Sequence, residues 1–197
     1  MDPSAETPPH PRALRRDAQK RVVLDAAAQL LVANGRSGLS ARKLADAAGC
    51  STKIIYSHFG GMGDVIAALY TQAFSDLASV MAKAGSSHLD PGSKLRAMAR
   101  RYRTFLLANP ELAKLMYGSQ VTTLAPTPSD RDAATSSIEL YVQAYIGLGQ
   151  DSEPARSAAY ALWAATHGAV SLELTGWLEG EAVFESVLAN ALRANLH

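Results

Sequence analysis

Residues 35–59, GRSGLSARKLADAAGCSTKIIYSHF, leave the chain little choice of local structure. Ser40 stands just before Leu44, Ala47 and Ala48, apolar residues at helical spacing, so a helix over 41–48 with a serine cap is expected. Gly49 supplies the left-handed residue on which such a helix ends. Cys50 fills a small apolar turn position, and Ser51 caps a second helix over 52–59. Two short helices meeting at a glycine describe a helix-turn-helix, a device that lays its second helix in the DNA major groove. In that second helix Ile55 and Phe59 share one face with Ile54 beside them, and this face should pack inward. Thr52, Lys53 and Ser57 remain for DNA, with Tyr56 and His58 at the edge. Lysine pairs with guanine or a phosphate, hydroxyls serve either, and tyrosine bonds a phosphate oxygen.

The run LSARKLADAAGCSTKIIYSHFGG, preceded by VVLDAAAQLLVANG, resembles the DNA-binding domain of the TetR family of transcriptional regulators. The matching positions are Ala26, Ala27, Gly35, Ser40, Leu44, Ala45, Ala48, Gly49, Ser51, Ile55, Tyr56, His58 and Phe59. The chain departs from the pattern at Met62 and Gly63, where many members carry Lys-Glu, and at Lys53 and Ile54, where members often carry small residues. Phosphate contacts then shift toward Ser40, Arg42, Tyr56 and Arg16, so the expected DNA-binding set is Arg16, Ser40, Arg42, Ser51, Thr52, Lys53, Tyr56, Ser57 and His58.

Charge agrees with this placement. Residues 10–60 hold nine Lys and Arg against three Asp and Glu, a net of +6, whereas residues 61–197 hold ten against thirteen, a net of −3. A basic head on a mildly acidic body is what phosphate recognition requires. The 197 residues are 48% hydrophobic, with alanine dominant and β-branched runs scarce, which favours closely packed helices over a sheet. One cysteine excludes an internal disulfide, and no cluster with metal-ligand spacing is present. No apolar run of membrane-spanning length and no signal peptide is read, and a cytoplasmic protein is the simplest expectation.

The expected fold is all-α with about nine helices. Residues 1–11, rich in proline, form a disordered tail. Residues 12–60 form a three-helix DNA-binding domain whose first helix, over 13–34, buries Val22, Val23, Ala26, Ala27, Leu30 and Leu31. Residues 61–197 form a larger helical regulatory and dimerisation domain, with helices over 63–84, 91–108, 111–117, 130–147, 154–178 and 181–195 and a loop over 118–129. Arg96, Arg100, Arg101 and Arg103 are expected to face solvent.

KLRAMARRYRTFLLANPELAKLMYG and WAATHGAVSLEL resemble the C-terminal domain of a TetR subgroup marked by Trp-x-x-x-His-Gly, here Trp163, His167 and Gly168. The resemblance implies a body that dimerises through its last two long helices, with Leu174, Phe184, Val187, Leu188 and Ala191 at the interface, and that holds a small-molecule cavity. Met98, Tyr102, Phe105, Met116, Tyr117, Tyr141, Trp163 and His167 are the candidate lining, and each singly reads equally as core. His167 reads first as a structural residue satisfied beside Trp163, with Gly168 admitting a neighbouring helix. The expected function is a homodimeric repressor of a palindromic operator, released by a small apolar or aromatic ligand. The rivals are a regulator governed by a protein partner or by its own level, and a helical enzyme or carrier. No catalytic motif, cofactor or metal is expected.

Overall fold

The computed structural model describes residues 11–88, 90–118 and 128–195. The expected tail lies outside them up to residue 10, and so does most of the expected loop over 118–129. Nine α-helices and a short 3-10 turn make up the regular structure of the described residues. The helices are α1 (Pro11–Asn34), α2 (Ala41–Ala47), α3 (Thr52–Phe59), α4 (Met62–Ser86), α5 (Pro91–Ala108), α6 (Pro110–Tyr117), α7 (Pro128–Ile146), α8 (Ser152–Leu174) and α9 (Glu181–Ala194). The chain divides into two compact units between Leu69 and Tyr70, a point within α4.

In the first unit α1 packs on α2 and α3, and α2 packs on α3. The buried residues are Val23, Ala26, Ala27 and Leu31 of α1, Leu44 and Ala45 of α2, and Ile55 of α3. The inner row of α1 is therefore narrower than its apolar sequence: Val22 is 51% exposed and Leu30 only half-buried. On α2 the inward alanine is Ala45, not Ala47, because Ala45 follows Leu44 round the same face while Ala47 points to solvent.

The second unit is built round α8, which packs on α5, α7 and α9; α5 also packs on α6 and α7. Its core joins Phe74, Leu77 and Met81 of α4 to Leu95, Met98, Tyr102 and Leu106 of α5, with Tyr141 and Tyr145 of α7, Leu162 of α8, and Phe184, Leu188 and Leu192 of α9. α4 is long and apolar enough by length and composition to cross a membrane, with a mean hydropathy of 1.3, contrary to the sequence expectation. Its apolar row, Val65, Leu69, Ala73, Phe74, Leu77 and Met81, is instead buried within the protein.

Arg100 and Arg103 do not merely face solvent. Arg100 grips Glu185 of α9 through Nε and Nη2 at 2.7 and 2.9 Å, and Arg103 grips Glu173 of α8 at 2.9 and 2.6 Å. Arg103 also lies over the Phe184 ring, 5.4 Å from its centroid. Both partners of the Arg103–Glu173 pair are largely buried, so it is less screened than the half-exposed Arg100–Glu185 pair.

α8 ends four residues earlier than its apolar pattern indicates. Gly176, at φ +77°, turns the chain, its N–H donates to Glu173 O at 3.1 Å, and Trp177 N–H donates to Leu172 O at 2.9 Å. Those two bonds satisfy the last free carbonyls of the helix. Gly176→Ala should lower stability by about 1 kcal/mol in urea denaturation, since the left-handed conformation disfavours a Cβ. Tyr141 is fully buried and its hydroxyl has no hydrogen-bond partner among the described residues. Tyr141→Phe should therefore raise stability by roughly 1 kcal/mol in the same measurement.

Candidate nucleic-acid interface and body cavity

Ser40 sits in extended backbone and its Oγ accepts the Lys43 N–H at 3.3 Å, the cap expected of it. Gly49, at φ +62°, ends α2 in the same way as Gly176 ends α8: Gly49 N–H reaches Asp46 O, and Cys50 N–H reaches Ala45 O at 2.9 Å. Ser51 occupies the N-cap position of α3 but makes no side-chain cap bond, so its exposed hydroxyl is not engaged there. Ile55 is fully buried beneath α3. Burial of an isoleucine contributes about 1.5–3 kcal/mol, enough to fix which face of a two-turn helix points inward.

The opposite face is open. Thr52, Lys53, Tyr56 and Ser57 are exposed, as is Arg42 on α2. Tyr56 is 55% exposed despite its ring. His58 is half-buried, with Nδ1 3.0 Å from Ile54 O, so the imidazole is tied to its own helix at the edge of that surface. Ser57 Oγ donates to Ile54 O at 3.1 Å.

Arg16 and Lys20 of α1 have a role that the sequence did not reveal. Arg16 Nη2 donates to Ser57 O at 3.4 Å, and Lys20 Nζ lies 5.9 Å from the centroid of the Phe59 ring. Two cations thus stand at the C-terminal end of α3, where the helix dipole is negative. Arg16 uses one of its five N–H groups in this contact, and the others remain for phosphate.

In the second unit the candidate lining residues separate. Tyr117 and His167 line a cavity of about 320 Å³ together with Leu106, Ala113, Ser171 and Leu174. Met98 instead lines a hollow of about 230 Å³ with Gly85 and Leu140. Met98, Tyr102, Met116 and Tyr141 are buried in the core, and Phe105 and Trp163 are half-buried against it. None of these six lines the cavity that holds Tyr117 and His167. The reason is geometric: on α5 it is Leu106, next in chain to Phe105 and one turn beyond Tyr102, that points to α6 and α8.

His167 is enclosed by rings. Trp163 stacks on it at 5.5 Å and 21°, Tyr117 lies at 4.4 Å, and Tyr102 meets it edge-on at 6.3 Å. Tyr102 Oη is 2.7 Å from Nδ1 and Ser171 Oγ is 3.3 Å from Nε2. Burial pushes the Tyr102 phenol far above its ordinary pKa and lowers that of His167. The phenol stays protonated and the imidazole neutral, so Tyr102 donates to Nδ1 and the imidazole proton resides on Nε2. Burial pushes Tyr117 up to about 12, and its hydroxyl has no partner among the described residues.

The expected interface residues are also redistributed. Phe184 and Leu188 are 2% and 1% exposed and belong to the protomer's own core, Val187 and Ala191 are half-buried against it, and Leu174 lines the cavity. On α9 the inner row is 184, 188 and 192, which seals Phe184 and Leu188 from any partner. The exposed apolar row lies on α8 instead, where Tyr160, Ala164, Gly168 and Leu172 recur one turn apart. A Cβ at Gly168 meets nothing within 4 Å, so no helix of the protomer approaches there. No group of three or more metal-ligating side chains occurs among the described residues.

Comparison with known proteins agrees with both halves. Residues 23–69 match the model of bacterial regulatory proteins of the tetR family, and residues 95–193 match that of the tetracyclin repressor-like C-terminal domain. HTH-type transcriptional regulator Rv1816 of Mycobacterium tuberculosis is 28% identical over 127 residues, which cover 62% of this chain and 54% of that protein. The chain spans about half the length of the curated relatives it matches. A protein of unknown function from Rhodococcus sp. RHA1 superposes with a TM-score of 0.75 at 26% identity, over 100% of this chain and 97% of that one. The fatty acid degradation regulator FadR of Bacillus halodurans shares the fold, with a TM-score of 0.69 at 17% identity over 90% and 94% of the two chains. With a helix-turn-helix head and a helical body that each match a model of the same family, the chain belongs to the TetR family, whose members are DNA-binding transcriptional regulators rather than enzymes.

Proposed function

We propose that the chain acts as a homodimeric repressor in the cytoplasm, binds a palindromic operator, and is released by a small apolar or aromatic ligand held in its body. The observation that carries the reading is the polarity of α3: Ile55 is sealed inside while Thr52, Lys53, Tyr56 and Ser57 stand in solvent. A helix with that division has side chains free for base edges and phosphates at once. Ser40, Ser51, Arg42 and the spare donors of Arg16 supply phosphate contacts beside it, and His58 orients the edge. Trp163, His167 and Gly168 assign the body to the Trp-x-x-x-His-Gly subgroup.

The same reading assigns the partner surface to the exposed row of α8, Tyr160, Ala164, Gly168 and Leu172, with Val183 and Val187 of α9 beside it. The small residues Ala164 and Gly168 admit the close approach of a second helix, and Tyr160 and Leu172 supply apolar area. Two-fold symmetry then requires a palindromic operator. Ligand in the body shifts the population toward a head spacing that no longer fits both half-sites, with α4 as the lever.

Selection of bound DNA from a random pool should return a palindrome with half-sites about one helical turn or a multiple apart, and recovery of no preferred sequence overturns the proposal. Lys53→Ala should weaken binding to that operator and reduce its salt dependence by about one phosphate's worth, and Tyr56→Phe should weaken it with the melting temperature unchanged. Unchanged affinity removes either residue from the contact set. Gly168→Leu and Leu172→Arg should give folded monomers in sedimentation velocity that bind the operator about a hundredfold more weakly, because bivalent attachment is lost. Phe184→Asp should instead unfold the protomer, since it places a charge in the core.

A further inference from the structure

We infer that the cavity between α6 and α8 takes an uncharged molecule of about two rings carrying one hydrogen-bond acceptor, a ketone or quinone oxygen, which Tyr117 Oη and His167 Nε2 recognise. The inference rests on the reading of the body as a ligand-binding domain and gives that ligand its chemistry.

Size comes first. An apolar cavity of ~150 Å³ accommodates benzene. The space here is about 320 Å³, which suits a fused pair of rings. Its walls, Leu106, Pro110, Ala113 and Leu174, are aliphatic, and the ring faces of Tyr117 and His167 complete them. Flat, polarisable molecules fit such a lining.

Polarity comes next. Tyr117 Oη is buried without a hydrogen-bond partner, although its residue lines the cavity. His167 has Nδ1 occupied by Tyr102, so the nitrogen left over, Nε2, is a donor, and its contact with Ser171 Oγ is long at 3.3 Å. Thr175, also at the wall, donates its hydroxyl to Ser171 O at 2.9 Å. The site therefore offers donors in want of an acceptor, and one oxygen on the ligand answers both Tyr117 and His167.

Charge then excludes the alternative acceptor, a carboxylate. The cation among the lining residues is Lys114, which is 72% exposed and paired with Glu111 at 2.5 Å. Arg103 is taken up by both oxygens of Glu173. The imidazole is neutral. A buried carboxylate would lack a counter-ion unless it broke an existing pair, whereas a carbonyl needs none.

Trp163 gives a direct readout because it stacks on His167, and Trp177, 80% exposed, is the other tryptophan of the chain. In a Trp177→Phe background of the full chain, 1-tetralone, tetralin and 1,2,3,4-tetrahydro-1-naphthoate are titrated by Trp163 fluorescence, with calorimetry for the dissociation constants. The ketone should bind about tenfold more tightly than the hydrocarbon and than the anion, the effect of one hydrogen bond to a previously unpaired buried hydroxyl. Tyr117→Phe should remove the ketone's advantage over tetralin while tetralin's own affinity and the melting temperature stay as they were. Equal binding of ketone and hydrocarbon, tighter binding of the anion, or an advantage that survives Tyr117→Phe overturns the acceptor assignment and leaves the cavity as a ligand site. Absence of binding by all three overturns the ligand reading itself. Binding of the ketone without loss of operator affinity upholds the cavity chemistry and removes the regulatory role.

Discussion

The body depends on one packing constraint: α8 presents small residues inward. Ala155, Ala158, Ala159 and Ala169 are buried along it, with Leu162 and Val170 between them. Such a helix approaches its neighbours closely and leaves room for large rings opposite. Those rings are Tyr102 of α5 and Tyr141 and Tyr145 of α7, all fully buried. A tyrosine contributes its ring area, worth a few kcal/mol, but an unpaired hydroxyl takes back about 1–3 kcal/mol. His167 relieves Tyr102 by accepting its proton, while Tyr141, Tyr145 and Tyr117 are left without partners among the described residues. Phenylalanine would fill the same space without that cost, so stability alone does not account for these hydroxyls. At Tyr117 the cavity does.

The two bidentate arginine–glutamate pairs organise the rest of the body. Arg103 joins α5 to the last turn of α8 and covers Phe184 of α9, and Arg100 joins α5 to α9. The C-terminal end of α8 is thereby held from the α5 side while Leu174 and Thr175 face the cavity. In the first unit a comparable division of labour holds. Arg16 and Lys20 close over the C-terminal end of α3, and the N-terminal half of that helix keeps Thr52 and Lys53 in solvent. Basic residues thus serve both to fix the reading helix and to meet phosphate.

Much of the fold was legible because its signals are local. Ser40, Gly49 and Ser51 marked the ends of α2 and α3, and Pro91 and Asn109 marked those of α5. The body cavity was legible only in kind. Tyr117 and His167 line it, but six other aromatic and methionine candidates do not, since composition says nothing about which side of a buried helix faces a void. The end of α8 was misjudged because Leu178 continues the apolar spacing past Gly176, and a single glycine at φ +77° outweighs periodicity. The apolar row of α9 was assigned outward for a similar reason: amphipathicity identifies a buried face, not whether the covering surface belongs to the same chain.

By itself the sequence determined the helix-turn-helix, the all-helical body and the charge asymmetry between them. Caps, glycine stops and 3.6-residue periodicity act over one or two turns, so they are written in neighbouring residues. Only the tertiary structure decided that Phe184 and Leu188 are core, that Arg100 and Arg103 are paired, and that Tyr102 orients His167 toward an unpaired Tyr117. Each of those joins residues on different helices, most of them dozens of positions apart. Their meeting depends on how α5, α6, α8 and α9 pack, which no local pattern encodes.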